Sequence, residues 1–137
     1  KVIHSNRNPI DSAFSIYRNL FDTPGMGWAY NQDDLVKYVH LYNDLMSLWQ
    51  KKLGKFIYEY HYERLVTNQI DETKKILEFC NLEFEDKCIN YTENKTTVST
   101  VSISQARQKI YKSSINLSNK YLDYFPFLNK IIKKKAP

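Results

Sequence analysis

The first twenty residues switch from a strand pattern to a capped helix within a few positions, and that junction constrains the fold more than any other feature. Val2-Ile3-His4 has the composition of a short buried strand, Ser5-Asn6-Arg7 follows as a turn, and Asn8-Pro9 opens a helix. Asn8 suits the cap, where a side-chain oxygen satisfies helix N–H groups. Pro9 suits the first helical position, where no N–H is needed, and Asp11 sits three residues after the cap. Ile10, Ala13, Phe14, Tyr17, Leu20 and Phe21 then recur at helical spacing. The helix is expected to stop before Thr23-Pro24-Gly25-Met26-Gly27, a stretch of turn residues.

The pattern continues in kind. A second helix is expected over Gln32 to Leu53, with Leu35, Val39, Tyr42, Leu45, Met46 and Trp49 facing inward and Gly54 ending it. Phe56 to Tyr60 reads as a strand. A third helix is expected over Ile70 to Cys80, with Ile70, Ile76 and Leu77 inward and Asn81 as a left-handed terminator. Thr92 to Ser104 turns polar and reads as an exposed loop. The last helical stretch begins near Tyr111 and is divided at Pro126, because proline lacks the N–H and clashes with the preceding turn. No internal repeat is visible. Strand, helix, helix, strand, helix predicts two parallel strands joined by a helical crossover. Two strands do not make a stable sheet in water, so an upstream part of the same domain is expected to supply neighbours. The fold expectation is α/β, in the form of a truncated and mostly helical C-terminal portion of one domain, with residues 1–137 all belonging to it.

With 137 residues the chain can bury a real core, and 42% hydrophobic residues with 15% aromatics exclude a disordered chain. Tyrosine occurs 11 times and suits half-buried faces and clefts, having an apolar body and a polar tip. A net charge of +5 admits an anionic partner, whether nucleotide, nucleic acid or membrane surface. Lys130, Lys133, Lys134 and Lys135 crowd the end, where a solvated tail explains them. Cys80 and Cys88 are too few for a disulfide scaffold, and His4, His40 and His61 are scattered, so no zinc spacing arises and no metal is expected. Asn90-Tyr91-Thr92, Asn94-Lys95-Thr96 and Asn116-Leu117-Ser118 fit the N-glycosylation pattern, which recurs by chance in a chain rich in Asn. They leave location open, with the cytoplasm as the working expectation. No run approaches the roughly 20 apolar residues of a membrane span.

In open α/β sheets ligands gather beyond the carboxyl ends of strands, where helices begin. Arg7 sits at that place, and its planar fork of donors matches a phosphate. The helix N-terminus is expected to add free N–H groups and partial positive charge. A helical wheel puts Ser15 nearly opposite the apolar stripe, so its hydroxyl is free to face a ligand. By themselves these residues fit a surface Arg and a solvated Ser equally well.

The motifs in order resemble those of sulfotransferases that use 3′-phosphoadenosine 5′-phosphosulfate (PAPS). Hydrophobic strand, R-x-P and a Ser eight residues after the Arg are similar to that family's 3′-phosphate motif. Trp49 with Leu53-Gly54 resembles its W-x-x-x-L-P segment, with Gly for Pro. Tyr60-His61-Tyr62-Glu63-Arg64-Leu65-Val66 resembles Y-E-x-L-V, and Leu77-Glu78-Phe79-Cys80-Asn81-Leu82 resembles L-x-F-x-G-L, with Asn for Gly. Most distinctive is Thr100-Val101-Ser102-Ile103-Ser104-Gln105-Ala106-Arg107-Gln108-Lys109-Ile110-Tyr111. It resembles the T-x-S-x-x-Q-V-R-x-P-I-Y signature of the tyrosylprotein-sulfotransferase-like group, including bacterial members linked to tetratricopeptide repeats.

The resemblance implies a P-loop-type parallel sheet with flanking helices. It implies PAPS as sulfuryl donor, a hydroxyl or amine acceptor as partner, and no nucleic acid. Arg7 and Ser15 would hold the 3′-phosphate, Tyr62 would lie near the adenosine, and the loop carrying Thr100, Ser102, Arg107 and Lys109 would close over the nucleotide. Asn19 and Gln108 stand where some relatives carry basic residues, and Lys109 stands where proline is usual. The family's P-S-G-T loop for the 5′-phosphosulfate has no counterpart among the 3 glycines, and the catalytic base also generally lies upstream. His40 and His61 are not assigned as that base, since a lone His beside tyrosines is more often a packed residue. The acceptor pocket would lie on variable loops such as Thr23 to Tyr30. Two rivals stay open: a nucleotide kinase of similar architecture, and a non-catalytic basic module for nucleic acid or membrane.

Overall fold

The computed structural model describes residues 1–21, 23–90 and 109–132. The Thr92 to Ser104 loop and the site residues Thr100, Ser102 and Arg107 lie outside them. The chain divides into two compact units, one of Lys1–Asn6 with Tyr58–Lys112, the other of Arg7–Ile57 with Ser113–Pro137.

The first unit carries the sheet. Strand β1 (Val2–Asn6) lies beside β2 (Ile57–His61) in a two-stranded parallel arrangement. β1 runs two residues further than the expected strand, through Ser5 and Asn6. It is not buried as expected, because a sheet of two strands offers Val2 and Ile3 no covering layer, and they are 52% and 45% exposed. A short helix α3 (Tyr62–Thr67) follows β2 directly and was not legible in the sequence. Its six residues include two β-branched ones, and the Thr67 hydroxyl donates back to the carbonyls of Glu63 (2.9 Å) and Arg64 (3.1 Å). Helix α4 (Gln69–Cys80) is the expected third helix. Ile76 and Leu77 are half-buried as expected, but Ile70 faces solvent. Asn81 ends α4 in the left-handed region (φ 59°, ψ 43°), where its N–H donates to Glu78 and the next N–H to Leu77. That pair of bonds is the Schellman arrangement, and Asn tolerates the backbone it requires.

The second unit holds the larger core. Helix α1 (Pro9–Arg18), helix α2 (Gln32–Leu53) and a short C-terminal helix α5 (Leu128–Ile132) contribute Ile10, Ala13 and Phe14, then Leu35, Val36 and Val39, then Leu128 and Ile131, with Phe127 just before α5. Phe14 stacks on Tyr121 with ring centres 4.7 Å apart, and Tyr17 packs against Phe127 at 5.1 Å. α1 stops at Arg18, so Leu20 is not on its stripe and is 84% exposed. α2 has the expected bounds, but the core takes only its first half. Tyr42, Leu45 and Trp49 stay exposed, because α1 and α5 reach only as far as Val39 and His40. Gly54 does not adopt a left-handed conformation (φ −52°, ψ −35°). α2 instead tightens into a 3₁₀ turn, Gly54–Phe56. The C-terminal stretch starts at a 3₁₀ turn, Leu117–Tyr121, rather than near Tyr111, and Pro126 separates it from α5 as expected.

Candidate functional site

Arg7 occupies the single step between the carboxyl end of β1 and the cap of α1. Local chemistry fixes this junction. Asn8 is non-helical (φ −44°, ψ 118°), and its side-chain oxygen accepts from the N–H of Ile10 at 2.9 Å and of Asp11 at 3.3 Å. The Asn8 carbonyl receives the first helical bond, from Ser12 at 3.0 Å. Pro9 has no N–H to leave unsatisfied. The expectation of free N–H groups at this end is therefore corrected, because the cap already occupies them. What α1 offers an anion is the partial positive charge of its dipole, while hydrogen bonds must come from side chains.

The side chains expected there from the sequence are Arg7 and Ser15. The Arg7 guanidinium is half-buried, and its Nη2 donates to the Ser114 carbonyl at 2.9 Å. A second anchor lies one helical turn along. The carboxylate of Asp11 accepts from the Asn116 N–H (2.6 Å), the Ser118 N–H (2.9 Å) and the Ser118 hydroxyl (2.6 Å). Asp11 thus does not reach back to the Asn8 N–H, as a capping-box residue would, because its oxygens are taken by a segment 105 to 107 residues away. Sequence reasoning missed this role, since a partner so distant leaves no periodic signal. The only local hint is that Asp11 falls one turn after Arg7. Ser15 is half-buried two turns into α1.

The other described site residues belong to the first unit. Tyr62 begins α3 and is half-buried, and Lys109 is exposed on irregular chain. At the carboxyl end of β1, the Glu59 carboxylate on β2 accepts from Asn6 Nδ2 at 3.0 Å and lies 2.9 Å from His4 Nδ1. The Asn6 hydrogen bond, then the His4 contact, with a smaller effect of His61, hold this carboxyl below its ordinary value, against the opposing cost of burial. His61 is exposed at the end of β2. In the second unit, His40 Nε2 lies 3.1 Å from the Ile131 carbonyl, a packing contact at the end of α5. Among the described residues no three His, Cys, Asp or Glu stand close enough together to hold a metal ion, and no helix is long and apolar enough to cross a membrane.

Residues 1–86 match the model of a sulfotransferase family. A protein of Aquifex aeolicus (strain VF5), described only as uncharacterized, is 36% identical over 139 residues. The alignment covers 98% of this chain and 18% of that protein, so the chain spans under a fifth of this relative's length. No solved structure matches the chain.

Proposed function

Because the chain belongs to the sulfotransferase family, we propose that it serves the transfer of a sulfuryl group from PAPS to a hydroxyl or amine acceptor, with Arg7 and Ser15 holding the 3′-phosphate of the donor. The observation that carries this reading is the position of Arg7. It is half-buried at the step of chain from β1 to α1, the kind of strand-to-helix step where open α/β sheets receive ligands, within the R-x-P and Ser spacing of the 3′-phosphate motif. The guanidinium supplies a charge that does not titrate away and a planar fork of donors. The α1 dipole points its positive end at the same place.

PAPS supplies an activated sulfuryl group, with the 5′-phosphate as leaving group. As in phosphoryl transfer, the protein's share of such a reaction is mostly positioning and charge stabilisation. Arg7 and Ser15 would anchor the nucleotide at its far end. Tyr62 would flank the adenosine. Thr100, Ser102, Arg107 and Lys109 would close over it, and the exposed ammonium of Lys109 is accessible to an anion. The anchor acts through binding, so its loss should raise the Kd for 3′-phosphoadenosine 5′-phosphate (PAP) more than it changes kcat.

Calorimetric titration of the intact protein with PAP tests the reading. An Arg–phosphate contact contributes about 1.5–3 kcal/mol, so Arg7→Ala should weaken PAP by roughly 10–100-fold. ATP should fail to compete. Unchanged PAP affinity in Arg7→Ala, or ATP binding as tightly as PAP, would sink the assignment.

A further inference from the structure

Asp11 has no part in that reading, yet it is among the most buried polar side chains described, at 2% exposure. Its three bonds all go to one stretch of chain. Oδ2 takes the Asn116 N–H, and Oδ1 takes both the N–H and the hydroxyl of Ser118, itself 1% exposed. Asn116 is left-handed (φ 56°, ψ 24°), a conformation Asn accepts readily, so the backbone turns there and presents these donors to one carboxylate. Hydrogen bonds to an ionised acceptor are the short and strong ones, and 2.6 Å for the hydroxyl fits that class.

The same stretch carries the Ser114 carbonyl that receives Arg7. Residues 114–118 are therefore gripped twice, by a donor at Arg7 just before the cap of α1 and by an acceptor at Asp11 in its first turn. A guanidinium on a flexible stem points where its fixed contacts direct it. One such contact is the Ser114 carbonyl, two residues before the stretch that Asp11 holds through Asn116 and Ser118.

We propose that Asp11 is a positioning residue that sets the aim of Arg7 toward the bound anion, acting through Asn116, Ser118 and the Ser114 carbonyl. This inference rests on Arg7 being the phosphate anchor. It makes residues 114–118, just downstream of the segment assigned to close over the nucleotide, part of the machinery that shapes affinity for the 3′-phosphate.

A double-mutant cycle in the intact protein, read by PAP calorimetry, tests it. Asp11→Asn keeps the shape but sets an NH₂ against a donor. It should weaken PAP by about tenfold while leaving kcat within a factor of about two, since positioning of this kind acts on binding. In the Arg7→Ala background the same substitution should change PAP affinity by less than about twofold, because the group it aims is gone. A latch that merely held the fold together would give losses that multiply. Multiplying losses, or an Asp11→Asn protein that binds PAP like wild type, overturns the inference while leaving the Arg7 reading intact. Unchanged affinity in Arg7→Ala alone overturns both. If Asp11→Asn does not fold, Ser118→Ala, which removes one bond of the three, takes its place in the cycle with an expected loss of about threefold.

Discussion

Helices α1 and α2 begin with the same device and put it to different ends. Each has an Asn cap whose side chain accepts two backbone N–H groups, Asn8 from Ile10 and Asp11, Asn31 from Asp33 and Asp34. At α2 the first turn then carries two exposed carboxylates, which meet the helix dipole themselves and pair with Lys130 (3.0 Å) and Lys37 (2.9 Å). Its positive end is already answered. At α1 the residue before the cap is a half-buried Arg, and the one carboxylate of the first turn is bound to Asn116 and Ser118. An Asn cap alone therefore says nothing about anion binding. What distinguishes the two ends is where the neighbouring charges are engaged.

Both helices share one core, so the largest substitution effect should not discriminate between them. Leu128 is fully buried in the cluster that draws on α1 and α2 together, and Leu128→Ala should destabilise the protein by about 2–5 kcal/mol in denaturant unfolding. A loss under about 1 kcal/mol would mean that the two helices are not held by α5. The caps come next. Asn8→Ala and Asn31→Ala should each cost about 1 kcal/mol of stability, yet only Asn8→Ala should weaken PAP. Equal effects on PAP would erase the distinction between the two ends. Smaller still is the exposed pair at α2: Lys130→Ala should change stability by less than about 0.5 kcal/mol and leave PAP affinity unaltered.

The sheet of the first unit also has a pH dependence of known sign. Glu59 has its carboxyl held below the ordinary value, so its contribution is present at neutral pH and is lost as pH falls below about 4.5 through the lowered folded value. Glu59→Gln should show a shallower loss of stability with acid than wild type. An unchanged acid limb in unfolding curves would show that the bonds to Asn6 and His4 contribute nothing there.

The elements built from local signals were legible in the sequence. The Asn8-Pro9 start of α1, the bounds of α2 and the left-handed Asn81 each follow from residues within one turn of the feature. Features that depend on distant chain were not. The exposure of Val2 and Ile3, the uncovered second half of α2 and the engagement of Asp11 with Ser118 depend on what else packs there, and side-chain type does not specify that. The short α3 escaped notice because six residues give no readable period. At the site, the Arg7 and Ser15 spacing was visible, whereas the occupation of the α1 N–H groups by Asn8 came only from the cap geometry.

The central claim is that Arg7 reads the 3′-phosphate, and one comparison isolates it. PAP and adenosine 5′-phosphate differ only in that group, so their two affinities should be measured on the intact wild-type and Arg7→Ala proteins. Wild type should prefer PAP, and Arg7→Ala should lose that preference by weakening PAP roughly 10–100-fold with little change for adenosine 5′-phosphate. Equal weakening of both ligands, or a preference that survives the substitution, would contradict the account.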